Sequence, residues 1–227
     1  NERSDGVSGG LIVSADRAPQ WSESQGTLYF GLRAPRPAPP ASTAPPVGGG
    51  ANAPAPGAGA GGQVAPARQD EETPSLILWH WKDPRLQSQQ QVQENADKGF
   101  SYLSAWHLAS PKVVKLTDDA VRTATVARND RWALGADFTP YERQAAVDGH
   151  QYRDLYAIDA LTGARTLIAK RLENPGGPFP SLLAPDGLRA AWYDAGHWNV
   201  YEMGTKSSRR VTDGVAATFW DEEDDHN

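Results

Sequence analysis

A strand–turn–strand pattern recurs along this chain and limits its fold more than any other feature. Alternating apolar runs flank a short polar turn in residues 102–116, 155–168 and 198–211. Alternation with a period of two is typical of a strand that buries one face. Repetition of one such unit along a chain indicates a modular array. We therefore predict an all-β protein built from antiparallel hairpins.

A second, shorter hairpin pattern precedes each of these three segments. It covers residues 19–30, 125–134 and 181–192, and its turns contain residues such as Asp186 and Gly187 that tolerate turn backbone angles. Two hairpins per unit give a four-stranded antiparallel sheet, the blade of a β-propeller. The pattern thus predicts a partial β-propeller of about three blades, with the start of another at residues 217–220.

Three blades and a fragment would leave sheet edges and apolar faces uncovered, since propellers usually have about four to eight blades. We therefore expect the chain of 227 residues to be a piece of a larger propeller. Its eight tryptophans and seven tyrosines suit pleated strands. We expect the larger aromatic residues to pack between blades, in particular Trp79, Trp81, Trp106 and Trp192.

A change in composition divides the chain into three parts. Residues 34–67 are almost entirely Ala, Pro and Gly, and such a segment buries too little apolar surface to offset its ordering entropy. We predict propeller strands in residues 1–33, a disordered low-complexity insertion in residues 34–73, and propeller blades in residues 74–227. Strand signals resume at residues 75–81, which contain His80.

One surface helix is predicted over residues 84–98. Asp83 would be its N-cap, Pro84 its first residue and Gly99 its C-terminal stop. Its apolar residues are sparse, which indicates a helix lying across a surface. Residues 139–151 are predicted to form a loop, and nothing in the sequence ties Glu142 and Asp148 of this region to a site.

Composition excludes several classes of function. A net charge of −6 argues against a nucleic-acid partner. The absence of cysteine rules out a disulfide, a cysteine nucleophile or a zinc–thiolate site, and leaves the cytosol and the periplasm both open. No apolar run approaches the roughly 20 residues of a membrane helix, so we expect no membrane association.

The sequence predicts no catalytic, cofactor-binding or metal-binding residue. Ser8 lies in a G-x-S-x-G match, but polar residues precede it and residues 11–13 after it read as a strand, the reverse of a nucleophile elbow. The acidic run at residues 221–225 is interpreted as a solvated turn rather than a cation site. No pair of the five histidines has the spacing of a zinc site: His80, His107, His150, His197 and His226. His80 and His107 lie in strand patterns and are interpreted as structural.

Several stretches resemble one family. These are WHWKDPRLQSQQ from Trp79, FSYL from Phe100 and WDEEDDHN from Trp220, with RWALG, RDLY and APDG between them. They are similar to the N-terminal β-propeller of bacterial prolyl-oligopeptidase-family serine peptidases. The resemblance covers residues 19–33 and 75–227.

The resemblance implies a propeller that caps an α/β-hydrolase domain and gates the entry of peptide substrates. The Ser-Asp-His triad would lie in that hydrolase domain, so no residue of this chain is expected to be catalytic. The implied partners are the C-terminal hydrolase domain and peptides, with no cofactor, and the implied location is periplasmic or secreted. The alternative is a free-standing propeller that acts as a protein-binding scaffold of the cell envelope.

Overall fold

The computed structural model describes residues 10–36, 78–110, 112–174 and 182–216. The chain divides into two compact units, one of Asn1–Pro35 with Trp81–Asn227 and one of Arg36–His80. The sheets, helices and cleft described below all belong to the first unit. The predicted insertion (residues 34–73) and the predicted start of a further blade fall mainly outside the described residues.

The first sheet is antiparallel and has five strands, two of which lie along the same edge. Its strands are β1 (Ile12–Val13), β2 (Gln20–Trp21), β3 (Thr27–Arg33), β4 (Tyr102–His107) and β5 (Val113–Lys115). Both β1 and β2 pair with β3, with Val13 opposite Leu32 and Trp21 opposite Leu28. The other edge of β3 pairs with β4, so the two short strands share one edge.

The second and third sheets are regular four-stranded meanders in chain order. The second sheet consists of β6 (Thr123–Val126), β7 (Trp132–Asp137), β8 (Gln151–Asp159) and β9 (Arg165–Asn174). The third consists of β10 (Leu182–Leu183), β11 (Arg189–Asp194), β12 (His197–Glu202) and β13 (Ser207–Arg210). Among the described residues, no sheet closes on itself.

The six hairpins predicted from the sequence are confirmed, as is the strand at residues 12–13. The strand prediction around Trp79–Trp81 is wrong for residues 78–81, which form no strand. A short apolar run forms a strand only where the edge of another strand is available to pair with it. One edge of β3 pairs with β1 and β2, and the other edge pairs with β4, which comes after helix α1.

The described residues contain two α-helices, where one helix was predicted. Helix α1 (Gln87–Lys98) buries none of its residues, as expected of a surface helix, and Gly99 caps its C-terminus. It begins three residues later than predicted. Asp83 accepts a hydrogen bond from the Gln90 side chain (3.4 Å), and the N-cap is Leu86, whose N–H donates to Gln89 Oε1 (3.2 Å).

The predicted loop at residues 139–151 instead contains a short 3₁₀ helix (Thr139–Tyr141) and helix α2 (Glu142–Asp148). Pro140 stands near the start of this segment, and Gly149 ends it with a left-handed φ of 76°. The sequence therefore carried both boundary signals. The sequence of α2 has no apolar stripe, since the helix buries none of its residues.

The three sheets pack face to face in chain order, with the second sheet in the middle. The layer between the first and second sheets contains Leu103, Ala105, Leu116, Val121, Ala133, Ile158 and Ala160. The layer between the second and third sheets contains Leu134, Leu155, Ala157, Leu172, Ala190, Trp192, Tyr201 and Met203. Neighbouring residues of one strand, such as Ala133 and Leu134, enter opposite layers, as the pleat requires.

Of the four tryptophans expected to pack between blades, only Trp192 lies in such a layer, where it is 8% exposed. The prediction is wrong for Trp79, Trp81 and Trp106, which are at least 40% exposed. Pleat alternation places Trp106 on the opposite face of β4 from Ala105, which is fully buried.

The first hairpin of each sheet has the same turn. The fourth residue of this turn has a left-handed φ: 57° at Gln25, 55° at Asp130 and 67° at Gly187. The N–H of that residue donates to the carbonyl three residues earlier in each case, at 2.8 to 3.1 Å. These equivalent bonds show that the three sheets are built on one repeated template.

Successive turns also contact one another. Asp130 accepts hydrogen bonds from Tyr29 Oη (2.9 Å) and from Ser24, both in the first sheet. Asn129 Nδ2 donates to the carbonyl of Asp186 in the third sheet (2.8 Å). The turns thus fix how neighbouring sheets align.

Gly187→Ala should destabilise the protein by about 2–4 kcal/mol, because a left-handed alanine is strained and because overpacking is unfavourable. A Cβ at this position would lie 2.5 Å from Ala127 Cβ and 2.7 Å from the Asn129 side chain. Gly204→Ala is the matched control, since a Cβ there meets nothing within 4 Å. Equal thermal midpoints for the two variants would contradict the described packing of the turns.

Candidate functional site

A cleft of about 510 Å³ lies where the first and second sheets meet the two helices. Helix α1 occupies the connection between β3 and β4, and α2 occupies the equivalent connection between β7 and β8. Equivalent connections of stacked sheets leave from the same end of the stack. The repeated order of strands therefore places the two helices together and forms the cleft. In the sequence, each helix separates two strands of the repeated pattern.

Charged side chains join the walls of the cleft. Asp97 of α1 accepts from Arg85 Nη1 (2.7 Å) and from Arg122 Nη2 (2.8 Å). Arg85 Nε also donates to Glu142 of α2, at 3.3 Å. The Arg122 guanidinium lies 4.2 Å from the centroid of the Phe100 ring, a cation–π contact. This charge network holds α1 beside the sheets without burying any of its residues.

The charge network shifts the pKa values of its members. Burial raises the pKa of Asp97, but hydrogen bonds from Arg122 and Arg85 outweigh it, and the pKa is lowered below its ordinary value. Burial lowers the pKa of Arg85, but the carboxylates of Asp97 and Glu142 outweigh it and the pKa is raised. Both groups therefore remain charged at neutral pH.

Helix α2 is positioned by a separate buried bond. Tyr141, the last residue of the 3₁₀ helix, is 9% exposed and donates its hydroxyl to Asp154 Oδ1 at 2.6 Å. Asp154 also accepts the Arg171 N–H, at 2.8 Å. Burial, with the nearby Asp154 charge, raises the pKa of Tyr141 to about 12, so the hydroxyl keeps its proton and donates at all ordinary pH values.

His107 is a structural histidine, as predicted. It is 8% exposed at the end of β4, with Nδ1 2.9 Å from Thr27 Oγ1 and Nε2 2.9 Å from the carbonyl oxygen of Ala160. Because a carbonyl can only accept, Nε2 donates and Nδ1 accepts from the threonine hydroxyl. His107 thereby links the first sheet to the second.

The other sequence candidates do not converge on one site. His150 pairs with Glu173 (2.8 Å) on the surface, and His197 contacts Thr212 (3.2 Å). His80 lies in no strand. Ser8, the acidic run at residues 221–225 and His226 lie outside the described residues. Of the two acids in the predicted loop, Glu142 contributes to the cleft and Asp148 accepts a hydrogen bond from the Gln144 side chain (2.8 Å).

The lining of the cleft contains side chains that are suited to holding a ligand. Within the described ranges, no three His, Asp or Glu residues group to hold a metal ion. Neither described helix has the length and apolar character needed to cross a membrane. Arginine, glutamine and aromatic side chains line the cleft, and these groups hold ligands by hydrogen bonding and stacking.

Sequence reasoning missed the cleft because its residues come from five separate segments. Pro140 and Gly149 could have indicated α2. No sequence signal indicates that α1 and α2 face each other. The sequence matches no protein-family model, and it gives no match among curated proteins.

Asp97→Asn should loosen α1, because Arg85 and Arg122 would lose their shared carboxylate. We expect amide hydrogen exchange in residues 87–98 to become severalfold faster. Global stability should fall by only about 1 kcal/mol or less, as for other partly exposed ion pairs. Glu94→Gln is the matched control, because Glu94 is on the same helix but pairs only with Lys98 within it. Equal exchange in the two variants would show that the charge network does not hold α1.

Proposed function

We propose that the three stacked sheets are successive blades of a β-propeller. We further propose that this propeller is the non-catalytic, substrate-gating portion of a serine peptidase of the prolyl-oligopeptidase family. The observation that carries the fold proposal is the packing of three antiparallel sheets face to face in chain order, two of them regular four-stranded meanders and the first with an extra short strand at one edge. Blades of a propeller pack in this way around a central axis.

The assignment to a peptidase rests on the sequence. The WHWKDPRLQSQQ stretch runs into α1 and provides Arg85, which joins both helices at the cleft. The stretch that carries the resemblance therefore also contributes to the cleft. The resemblance alone supports a periplasmic or secreted location.

In this proposal the hydrolase domain carries out catalysis and the propeller controls access to it. The hydrolase domain carries out nucleophilic attack with its own triad, and the propeller limits which chains reach it. In this proposal the described residues have a passive role in the chemistry. His107 and His197 each contact a threonine, but neither has a carboxylate partner in the described part of the chain that would complete a triad.

The proposal is tested by expressing both this chain and the complete product of its reading frame, then treating each with a fluorophosphonate and a chromogenic peptide. We expect labelling and hydrolysis by the complete product alone, with the labelled serine in a strand–G-x-S-x-G–helix segment beyond Asn227. Labelling of this chain that disappears in Ser8→Ala would overturn the proposal. A reading frame that encodes no hydrolase domain would favour the scaffold.

A further inference from the structure

We propose that the cleft between α1 and α2 binds a peptide segment through one acidic side chain, with Arg17 as the residue that receives the carboxylate. This inference goes beyond the gating function, because it concerns binding by this chain and requires no hydrolase domain.

Arg17 is the cation of the cleft that remains available. Three guanidinium groups line the cleft, but Arg85 and Arg122 are already paired with Asp97 and Glu142. Arg17 Nε donates to Ser101 Oγ at 3.4 Å, and Arg17 forms no ion pair with a carboxylate of any described residue. With three positive and two negative side chains, the cleft has one net positive charge in a chain of net charge −6.

One free guanidinium selects a singly charged partner. A carboxylate matches the guanidinium fork with two parallel hydrogen bonds. A phosphate carries up to two negative charges and would also lie near Asp97 and Glu142, which repel it. Charge complementarity therefore favours a glutamate or aspartate side chain over a phosphate group.

The remaining lining suits a peptide. Phe100, Phe138 and Tyr152 also line the cleft, and aromatic rings offer surface for contact with apolar side chains of a peptide. Gln89 and Gln93 of α1 both line the cleft. Each side-chain amide can donate and accept hydrogen bonds, as pairing with a peptide backbone requires. The volume of about 510 Å³ is within the range of about 300–1,000 Å³ that is usual for ligand clefts.

The test uses two peptides that differ in one charge. Acetyl-Ala-Phe-Glu-Phe-Ala-amide and its Gln counterpart are titrated into this chain by isothermal calorimetry at low salt. We expect the Glu peptide to bind at least tenfold more tightly, and we expect this ratio to shrink at 0.5 M salt, because salt screens an exposed ion pair.

Two variants assign the preference to Arg17. Arg17→Gln should bind both peptides equally, while Arg209→Gln, an exposed arginine of β13, should keep the wild-type ratio. Circular dichroism melting confirms that both variants fold. Equal affinity of the two peptides for the wild-type chain, a preference retained in Arg17→Gln, or no binding of either peptide would overturn the proposal. Competition by free glutamate as effective as that by the Glu peptide would also overturn it.

The test is independent of the peptidase assignment. Binding is measured without hydrolysis, on the chain alone. Failure of the Glu peptide to bind would leave the gating proposal intact, and absence of a hydrolase domain from the reading frame would leave the binding result intact.

Discussion

Face-to-face packing of the three sheets is the interaction on which the rest of the structure depends. The second sheet buries both faces, since alternate residues of β7 and β8 enter opposite apolar layers. A slip of one residue would exchange the two layers, so the packing fixes the register of the strands. Each fully buried leucine or isoleucine contributes about 1.5–3 kcal/mol. Leu155 and Ile158, both fully buried in β8, face the third and the first sheet respectively.

The cleft is a consequence of this packing, but it is held by different forces. The sheets adhere through apolar surface, whereas α1 buries none of its residues and is attached by the charge network around Asp97. Charge pairs of this kind are weak in water and leave the helix able to respond to a ligand. The cleft is thus formed by a rigid stack of sheets on one side and by a helix attached through charge pairs on the other.

The strands could be predicted from the sequence, and much of the site could not. Each hairpin carries its own alternation and turn residues, so local sequence was sufficient for residues such as Asp130 and Gly187. Helix α2 was missed because it has no apolar stripe. The exposure of Trp106 depends on which face of β4 meets the second sheet, which is a property of the stack. The pairing of Arg85 with Glu142 joins two connections that are distant in sequence, and it follows from the alignment of neighbouring sheets alone.

The alignment of the first two sheets can be measured directly by a double-mutant cycle between Tyr29 and Asp130. Tyr29→Phe removes the hydroxyl that donates across the sheets, and Asp130→Ala removes its acceptor. Backbone strain at position 130 and loss of the Ser24 bond occur in both halves of the cycle and cancel. Stacking as described predicts a coupling free energy of about 1–2 kcal/mol in denaturant unfolding. Additive effects of the two substitutions would contradict it.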